Sequence, residues 1–204
     1  MPSPLFISFK QQISVLKTSL IAERRDDFRY TAADHQRALG FRLLASAHLE
    51  HFLESRCAET AAIAATEHRK RRPTRASKCL LVWNAVSSQS PIPVENSEYM
   101  SSDSIDKAIE RYRNLVSKNH GINGSKLKGL LIPLGFRNGD LDKHAQLFDR
   151  LDSVADNRNP AAHTRVNRAR QLVEPQEEWL VIDNLMSLLV ELDEALDCAC
   201  QPIA

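Results

Sequence analysis

Residues 32–66 constrain the fold more than any other part of the chain. The stretch is rich in Ala and Leu, both strong helix formers. At a 3.6-residue period Ala38, Phe41, Ala45, Leu49, Phe52 and Leu53 share one face, while Leu39, Leu43 and Cys57 share another. A helix that is apolar on more than one side needs packing partners on more than one side, so this one is expected at the centre of a helical assembly. Thr31 followed by Asp34 has the spacing of an approximate capping box, which sets the helix start near Ala32. Glu50 lies on the Leu39/Leu43/Cys57 flank. A carboxylate partly buried there requires a cationic partner.

Helical periodicity continues on both sides. Phe9, Ile13, Leu16 and Leu20 give an amphipathic helix over about 5–28, the N-terminal arm of residues 1–30. Ile105, Ala108, Ile109, Tyr112 and Leu115 mark a helix over about 104–118, with Gly121 placed to end it. Ser125 is placed to cap a short helix over 126–132 that Pro133 limits, and Leu141, Ala145, Phe148, Leu151 and Val154 define another over 140–157. In the last helix, about 175–198, Ile182, Leu185, Leu189, Leu192 and Leu196 form a 3-4-3-4 seam suited to bundle packing or to a dimer contact. The apolar piece Cys79–Trp83 fits a strand or a helical turn equally well. Around it lie a basic run from His68 to Arg75 and a Ser-, Pro- and acid-rich stretch over 87–104. The expected fold is all-α: an up-and-down helical bundle over 31–204, with an N-terminal helical arm and an insertion at about 68–104.

Composition limits the function classes. The chain has 204 residues, enough for a sizeable core. Its net charge of +1 means that attraction to nucleic acid must come from local patches. Cys57, Cys79, Cys198 and Cys200 contain no Cys-x-x-Cys pair, which argues against a zinc ribbon or a secreted disulfide framework. Lys10, Gln11 and Gln12 interrupt any signal-peptide core, and no apolar run reaches membrane-spanning length. The expected compartment is a reducing cytoplasm, with no membrane partner. P-loop, dinucleotide-glycine and Ser-His-Asp patterns are absent.

Arg158-Asn159-Pro160-Ala161-Ala162-His163 carries the candidate chemistry. Pro160 suits the first turn of a helix, so the spacing predicts a helix beginning there, with His163 about one turn beyond Asn159 and Arg158 just before. Arginine stays charged and can grip two phosphate oxygens, while histidine exchanges protons near neutral pH. Together they suit a phosphodiester. The plain alternative makes Arg158 a helix-terminal ion pair and His163 a half-buried surface residue.

The run Arg69, Lys70, Arg71 and Arg72 offers an RNA-phosphate patch, or else a solvated helix end. Trp83 and Tyr99 could stack on bases; the bland reading puts Trp83 in the core. His48 and His51, with Glu50 and Glu54 close by, are spaced for a metal but lack a usual third-ligand pattern, so structural histidines are expected and no metal.

The motif Arg158-Asn159-x-x-x-His163 resembles the signature of the HEPN superfamily (higher eukaryotes and prokaryotes nucleotide-binding). Arg37–Glu54, with its Ala47-x-Leu49-Glu50-x-Phe52-x-Glu54 run, is similar to the first core helix of the RiboL-PSP-type HEPN branch. The resemblance covers about residue 35 to the C-terminus. It implies a HEPN-like bundle acting as a metal-independent endoribonuclease without a cofactor, in a toxin–antitoxin or antiviral-defence setting. It assigns Arg158 to phosphate charge and His163 to proton transfer. Asn159 would bind phosphate or orient the histidine, and Glu50 would hold Arg158 or His163. Its implied partners are RNA, a second copy that brings a second motif across a two-fold axis, and an antitoxin or regulatory protein. Some HEPN toxins carry a tyrosine two residues after the motif histidine, where a partner enzyme modifies it. Arg165 stands there in this chain, and with Arg168 and Arg170 it would extend a phosphate-binding surface or else form a simple basic loop. The alternatives are a HEPN-type RNA- or nucleotide-binding module without catalysis, and a helical protein-interaction module.

Overall fold

The computed structural model describes residues 1–23, 30–88, 102–163 and 174–203, and for residues 102 and 158–163 it describes the helical backbone alone. The order is α1 (Pro4–Leu20), α2 (Ala32–Arg69), α3 (Arg75–Ser87), α4 (Ser102–Ser117), α5 (Gly124–Leu131), a 3₁₀ turn Ile132–Leu134, α6 (Asn138–Lys143), α7 (Ala145–His163) and α8 (Pro175–Ala199). The class is all-α. Among the described residues the only extended pairing is an isolated bridge between Thr74 and Pro202.

The 38 residues of α2 form the axis. Its start is set as expected: Thr31 Oγ1 accepts from Asp34 N at 3.2 Å, and Asp34 Oδ2 accepts from Thr31 N at 2.8 Å. Phe41, Ala45, Leu49, Leu53 and Cys57 are fully buried, and α2 packs against α1, α3, α4, α5, α7 and α8. Burial lifts the Cys57 thiol to about 12. The neighbouring Tyr112 hydroxyl, pushed well up by the same burial, donates to Leu130 O at 2.8 Å and joins α4 to α5.

The N-terminal helix is part of the core. Ser3 caps it, accepting from Phe6 N at 3.1 Å, and Pro4 occupies its first turn, where a missing N–H costs nothing. It ends at Leu20, short of the expected 28. Phe6, Phe9 and Ile13 face α2, and the Phe9 ring stacks on Phe52 with centroids 5.0 Å apart. An arm would leave this face in water.

Residues 75–87, inside the stretch expected as an insertion, form another core element. Thr74 and Ser77 make a reciprocal cap, and Ala76, Leu80, Leu81 and Ala85 are buried. The Cys79–Trp83 piece is therefore helix, and Trp83 packs edge-on against Tyr112. The 140–157 pattern resolves into α6 and α7, with a break at His144. The cap of α5 is Asn123 rather than Ser125: Asn123 Oδ1 accepts from Lys126 N at 2.8 Å. Asparagine two residues upstream supplies the same kind of oxygen to the first free N–H groups.

Along α8 the seam Ile182, Leu185, Leu189, Leu192 and Leu196 is buried inside the chain. It is spent on bundle packing, so it supplies no dimer surface. Beside it runs an ionic network that periodicity did not announce. Arg56, 1% exposed, donates from Nε to Asp193 Oδ1 at 2.5 Å and from Nη1 to Glu59 at 3.1 Å, and pairs with Asp197 through Nη2. Asp193 also accepts from Ser3 N at 2.6 Å and Ser3 Oγ at 2.7 Å. These bonds join α1, α2 and α8 at one buried point. Asp193 and Asp197 hold the Arg56 guanidinium charged against the opposing cost of its burial.

Candidate functional site

The motif lies within a helix, not at the start of one. The spacing around Pro160 predicts a new helix there, but α7 continues to His163. Proline has no N–H, so the Asp156 carbonyl loses its donor four residues on. The proline falls in the last described turn, where this is a local loss. Next to that point an external donor appears. Arg42 on α2 donates from Nη1 to the Asn157 carbonyl at 3.1 Å, while its Nε and Nη2 grip Glu178 of α8 at 2.7 and 2.5 Å. Both partners are mostly buried. This fork ties the motif-bearing end of α7 to α2 and α8.

Helical register then fixes the order of positions. Val154 and Ala155 line a shallow cleft of about 110 Å³ between α2, α7 and the loop that precedes α5. Position 158 follows Val154 by one turn, 159 follows Ala155 by one turn, and 163 follows 159 by one turn. On a continuous helix, Arg158 and His163 stand about 140° apart around the axis, whereas Asn159 and His163 stand about 40° apart. Asn159 and His163 thus share a face with Ala155, and Arg158 extends the Val154 row.

Residues 118–124 form the facing wall. Two α2 carboxylates hold this loop: Glu54 Oε1 accepts from Asn119 Nδ2 at 2.7 Å, and Glu50 accepts from the Gly121 backbone N–H. Asn119 Nδ2 also reaches the Gly121 carbonyl at 3.3 Å. From the other side, Asp152 of α7 accepts from Gly124 N at 2.8 Å. Gly124 allows α5 to sit directly on α7, because a Cβ there would stand 2.8 Å from Phe148 Cβ and 2.9 Å from its carbonyl oxygen. Gly121 adopts φ 79°, a left-handed conformation in which glycine is unstrained. His120 lies between the two pinned residues, its carbonyl accepting from Lys126 Nζ; the residue is exposed and is among those that line the cleft. Ser46 of α2 closes the floor.

Glu50 is half-buried, as its position on α2 implied, and the described partner it holds is the loop. The side chains of Arg158, Asn159 and His163, and all of Arg165, Arg168, Arg170 and Tyr99, lie outside the described residues. The basic run caps the end of α2, and two carboxylates pair with part of its charge. Arg69 pairs with Asp106, and Lys70 (3.0 Å) and Arg72 both pair with Glu67. Lys70 foremost, with Arg72, holds that carboxyl below the usual range. Arg71, at φ 59°, turns the chain out of the helix and is exposed. His48 is half-buried and His51 exposed, and no cluster of potential metal ligands occurs among the described residues. A larger cavity of about 490 Å³ lies between α3, α6 and the end of α8, where Arg75 meets Asp140 at 3.1 Å. It contains none of the motif residues. Among the described residues, no helix is long and apolar enough to cross a membrane.

No family model, curated protein or solved structure matches this chain. The chemistry of the cleft must be argued from its own groups. Sequence patterns missed His120, Lys126 and Arg42. A histidine and a lysine flanking Gly121-Ile122-Asn123 in a loop were the available sign of the first two. Arg42 gave a sign too, as a cation one turn after Ala38 and one turn before Ser46 on the most buried helix.

Proposed function

We propose that this chain is a metal-independent endoribonuclease of HEPN type, with the end of α7 and the adjoining cleft as its active site. One observation carries the reading: Val154 and Ala155, which wall the cleft, lead at one-turn spacing into Arg158, Asn159 and His163 on the same helix. The cleft also carries His120, Asn123 and Lys126, polar groups of the kind that meet a phosphoryl group. In this reading Arg158 neutralises charge on the phosphoryl oxygens and Asn159 orients the phosphate. His163 transfers a proton as the substrate's 2′-oxygen attacks phosphorus. RNA is the substrate. A second copy, an antitoxin or regulatory partner and a defence role follow from the family resemblance and stand or fall with it, while a cytoplasmic setting rests on cysteine usage and the interrupted N-terminal apolar run.

The test is incubation of the purified chain with total RNA in EDTA. Cleavage should leave 5′-hydroxyl and 2′,3′-cyclic or 3′-phosphate ends. A 2′-deoxy substitution at the cut should block it. His163→Ala should lose about 10²-fold or more, as for removal of a general acid or base. A strict need for Mg²⁺, or 5′-phosphate products, would overturn the proposal. A second reading, a HEPN-type RNA-binding module without turnover, is favoured by the angle of about 140° between positions 158 and 163. It predicts RNA binding that weakens in Arg158→Ala, with no cleavage.

A further inference from the structure

The cavity of about 490 Å³ between α3, α6 and the end of α8 has no part in the ribonuclease reading. Its volume lies within the ~300–1,000 Å³ usual for small-molecule sites. Phe136, Pro202 and Ile203 give it apolar walls. The wall made by the C-terminal residues is fastened in place: the Ile203 N–H donates to the Pro73 carbonyl at 2.9 Å, and Pro202 bridges to Thr74. Against these walls stands His144, at the break between α6 and α7. It is 7% exposed, its ring centroid lies 6.3 Å from that of Phe136, and the ring makes no hydrogen bond among the described residues. Burial, opposed by Glu191 and Asp140, pulls its proton affinity below the ordinary range. The ring is therefore neutral at pH 7, with one nitrogen to donate and one to accept. Native structures leave few buried polar groups unpaired. An unpaired imidazole lining a cavity of this size is a group with a ligand to meet.

The charged groups narrow the class of ligand. The wall carries two cations, Arg75 and Lys143, and one carboxylate, Asp140. Asp140 is already engaged: it accepts from Arg75 Nη1 at 3.1 Å and from the Arg137 backbone N–H at 3.2 Å. Lys143 is exposed and forms no ion pair among the described residues, so its charge is open to an anion. Arg75 stands over the Phe136 ring at 5.3 Å and keeps donors beyond the one that Asp140 takes. We propose that this cavity binds a small aryl anion, a carboxylate or sulfonate, with its charge at Lys143 and Arg75, a polar group at the His144 ring and its aromatic body against Phe136, Pro202 and Ile203. An anion without an aromatic body leaves the apolar walls wet, and a neutral aryl compound leaves Lys143 unanswered. The site is separate from the cleft at the end of α7, and its occupancy does not depend on whether the chain cuts RNA.

The experiment titrates the full chain with anilinonaphthalene sulfonate, an aryl anion that fluoresces when shielded from water, and with phenylnaphthylamine, which lacks only the sulfonate. Wild type should bind the sulfonate saturably and about tenfold or more tightly than the neutral dye. Lys143→Gln should weaken the sulfonate by about tenfold and leave the neutral dye unchanged. His144→Phe keeps the shape of the ring and removes its nitrogens. It should weaken the sulfonate at a melting temperature no lower than that of wild type, because the ring has no protein partner to lose. Cys198 lines the cavity and is exposed, so its modification by methyl methanethiosulfonate, followed by peptide mass, should slow in step with occupancy. Equal affinity for the two dyes, an unchanged constant in Lys143→Gln or His144→Phe, or Cys198 modified at its free rate under saturating sulfonate would each refute the proposal. So would the absence of saturable binding to wild type. A lower melting temperature in His144→Phe would make the ring a structural group and refute its place in the site.

Discussion

Arg56→Met should be among the most damaging single substitutions in this chain. The guanidinium is 1% exposed and faces Asp193, whose side chain is fully buried. Methionine approximates its volume and removes its charge. Asp193 would then keep the two Ser3 donors and no counter-charge. Orphaning one partner of a buried ion pair costs about 3–5 kcal/mol. At about 2–4 °C per kcal/mol for a chain of this size, the melting temperature should fall by roughly 6–20 °C. Asp197, 47% exposed, gives the contrast: its bond to Arg56 is open to solvent, and Asp197→Asn should cost about 1 kcal/mol or less. The double variant Arg56→Met/Asp193→Leu removes both desolvation costs and should recover most of the loss, to within about 2 kcal/mol of wild type. Urea unfolding followed by Trp83 and Trp179 fluorescence measures wild type, these three variants and Asp193→Leu alone, which closes the double-mutant cycle. The reasoning fails if Arg56→Met costs less than about 1 kcal/mol, or if the two substitutions at 56 and 193 are merely additive.

Gly124→Ala should destabilise by about 1–3 kcal/mol, because its Cβ meets Phe148 backbone that cannot swing aside; an unchanged urea midpoint would refute the tight α5–α7 contact. His68 is buried, and both of its ring nitrogens lack partners. Burial first, then Arg69, depresses its affinity for a proton below the ordinary value near 6.5. The unfolded chain therefore takes up the proton first, so the stability tied to neutral His68 is whole above about pH 6.5 and is lost as pH falls toward the folded value. Urea midpoints measured from pH 7.5 to 5 should drop, and the drop should shrink in His68→Leu; an identical slope in both proteins would exclude His68 as a source. Cys198 is exposed, whereas burial lifts Cys200 to about 11 and Cys57 to about 12. An aromatic disulfide reagent at pH 8 should label Cys198 within seconds and reach Cys57 and Cys200 only in denaturant, and rapid labelling of Cys57 in native protein would contradict its burial.

What the sequence made legible was the information carried within a few turns. The Thr31/Asp34 cap, the centrality of 32–66 and the apolar seam of α8 are local patterns, and each sits where its period places it. Periodicity states that a face is buried and is silent about what covers it. The α8 seam fitted a second copy as well as the bundle, and the bundle took it. Arg56 was partly legible, since it continues the Leu49, Phe52 and Leu53 stripe, and Asp193 lies beside Leu189, Leu192 and Leu196. Their pairing was not, because the two are separated by 137 positions.

The candidate site divides in the same way. The composition of the Arg158–His163 turn could be read, but its register could not. Pro160 favours a helix start on propensity alone, yet α7 runs on through it to His163, with Arg42 bonded to the Asn157 carbonyl beside the break. Glu50 shows the same limit of local pattern. A half-buried carboxylate requires donors, and here a loop N–H 71 positions away is a described donor. The loop around His120 has no periodic signal at all. Its shape comes from Glu50, Glu54 and Asp152, all on other elements.

The Ser3–Asp193–Arg56 junction also sets a sequence of events. On a chain made from its N-terminus at about 5–20 residues per second, Arg56 emerges roughly 7–27 s before Asp193. Through that interval α1 and α2 exist without the carboxylate that neutralises their shared guanidinium, so the α8 side of the central helix stays hydrated. Closing the longest loop in the molecule carries the largest chain-entropy cost, so the expected order puts the junction after the main barrier, and an Arg56→Met folding rate equal to that of wild type is the measurement that checks it. Its strength then appears in how slowly the finished bundle opens, and hardly at all in how fast it assembles. The buried charges act as a latch on the completed chain rather than as a seed for its folding.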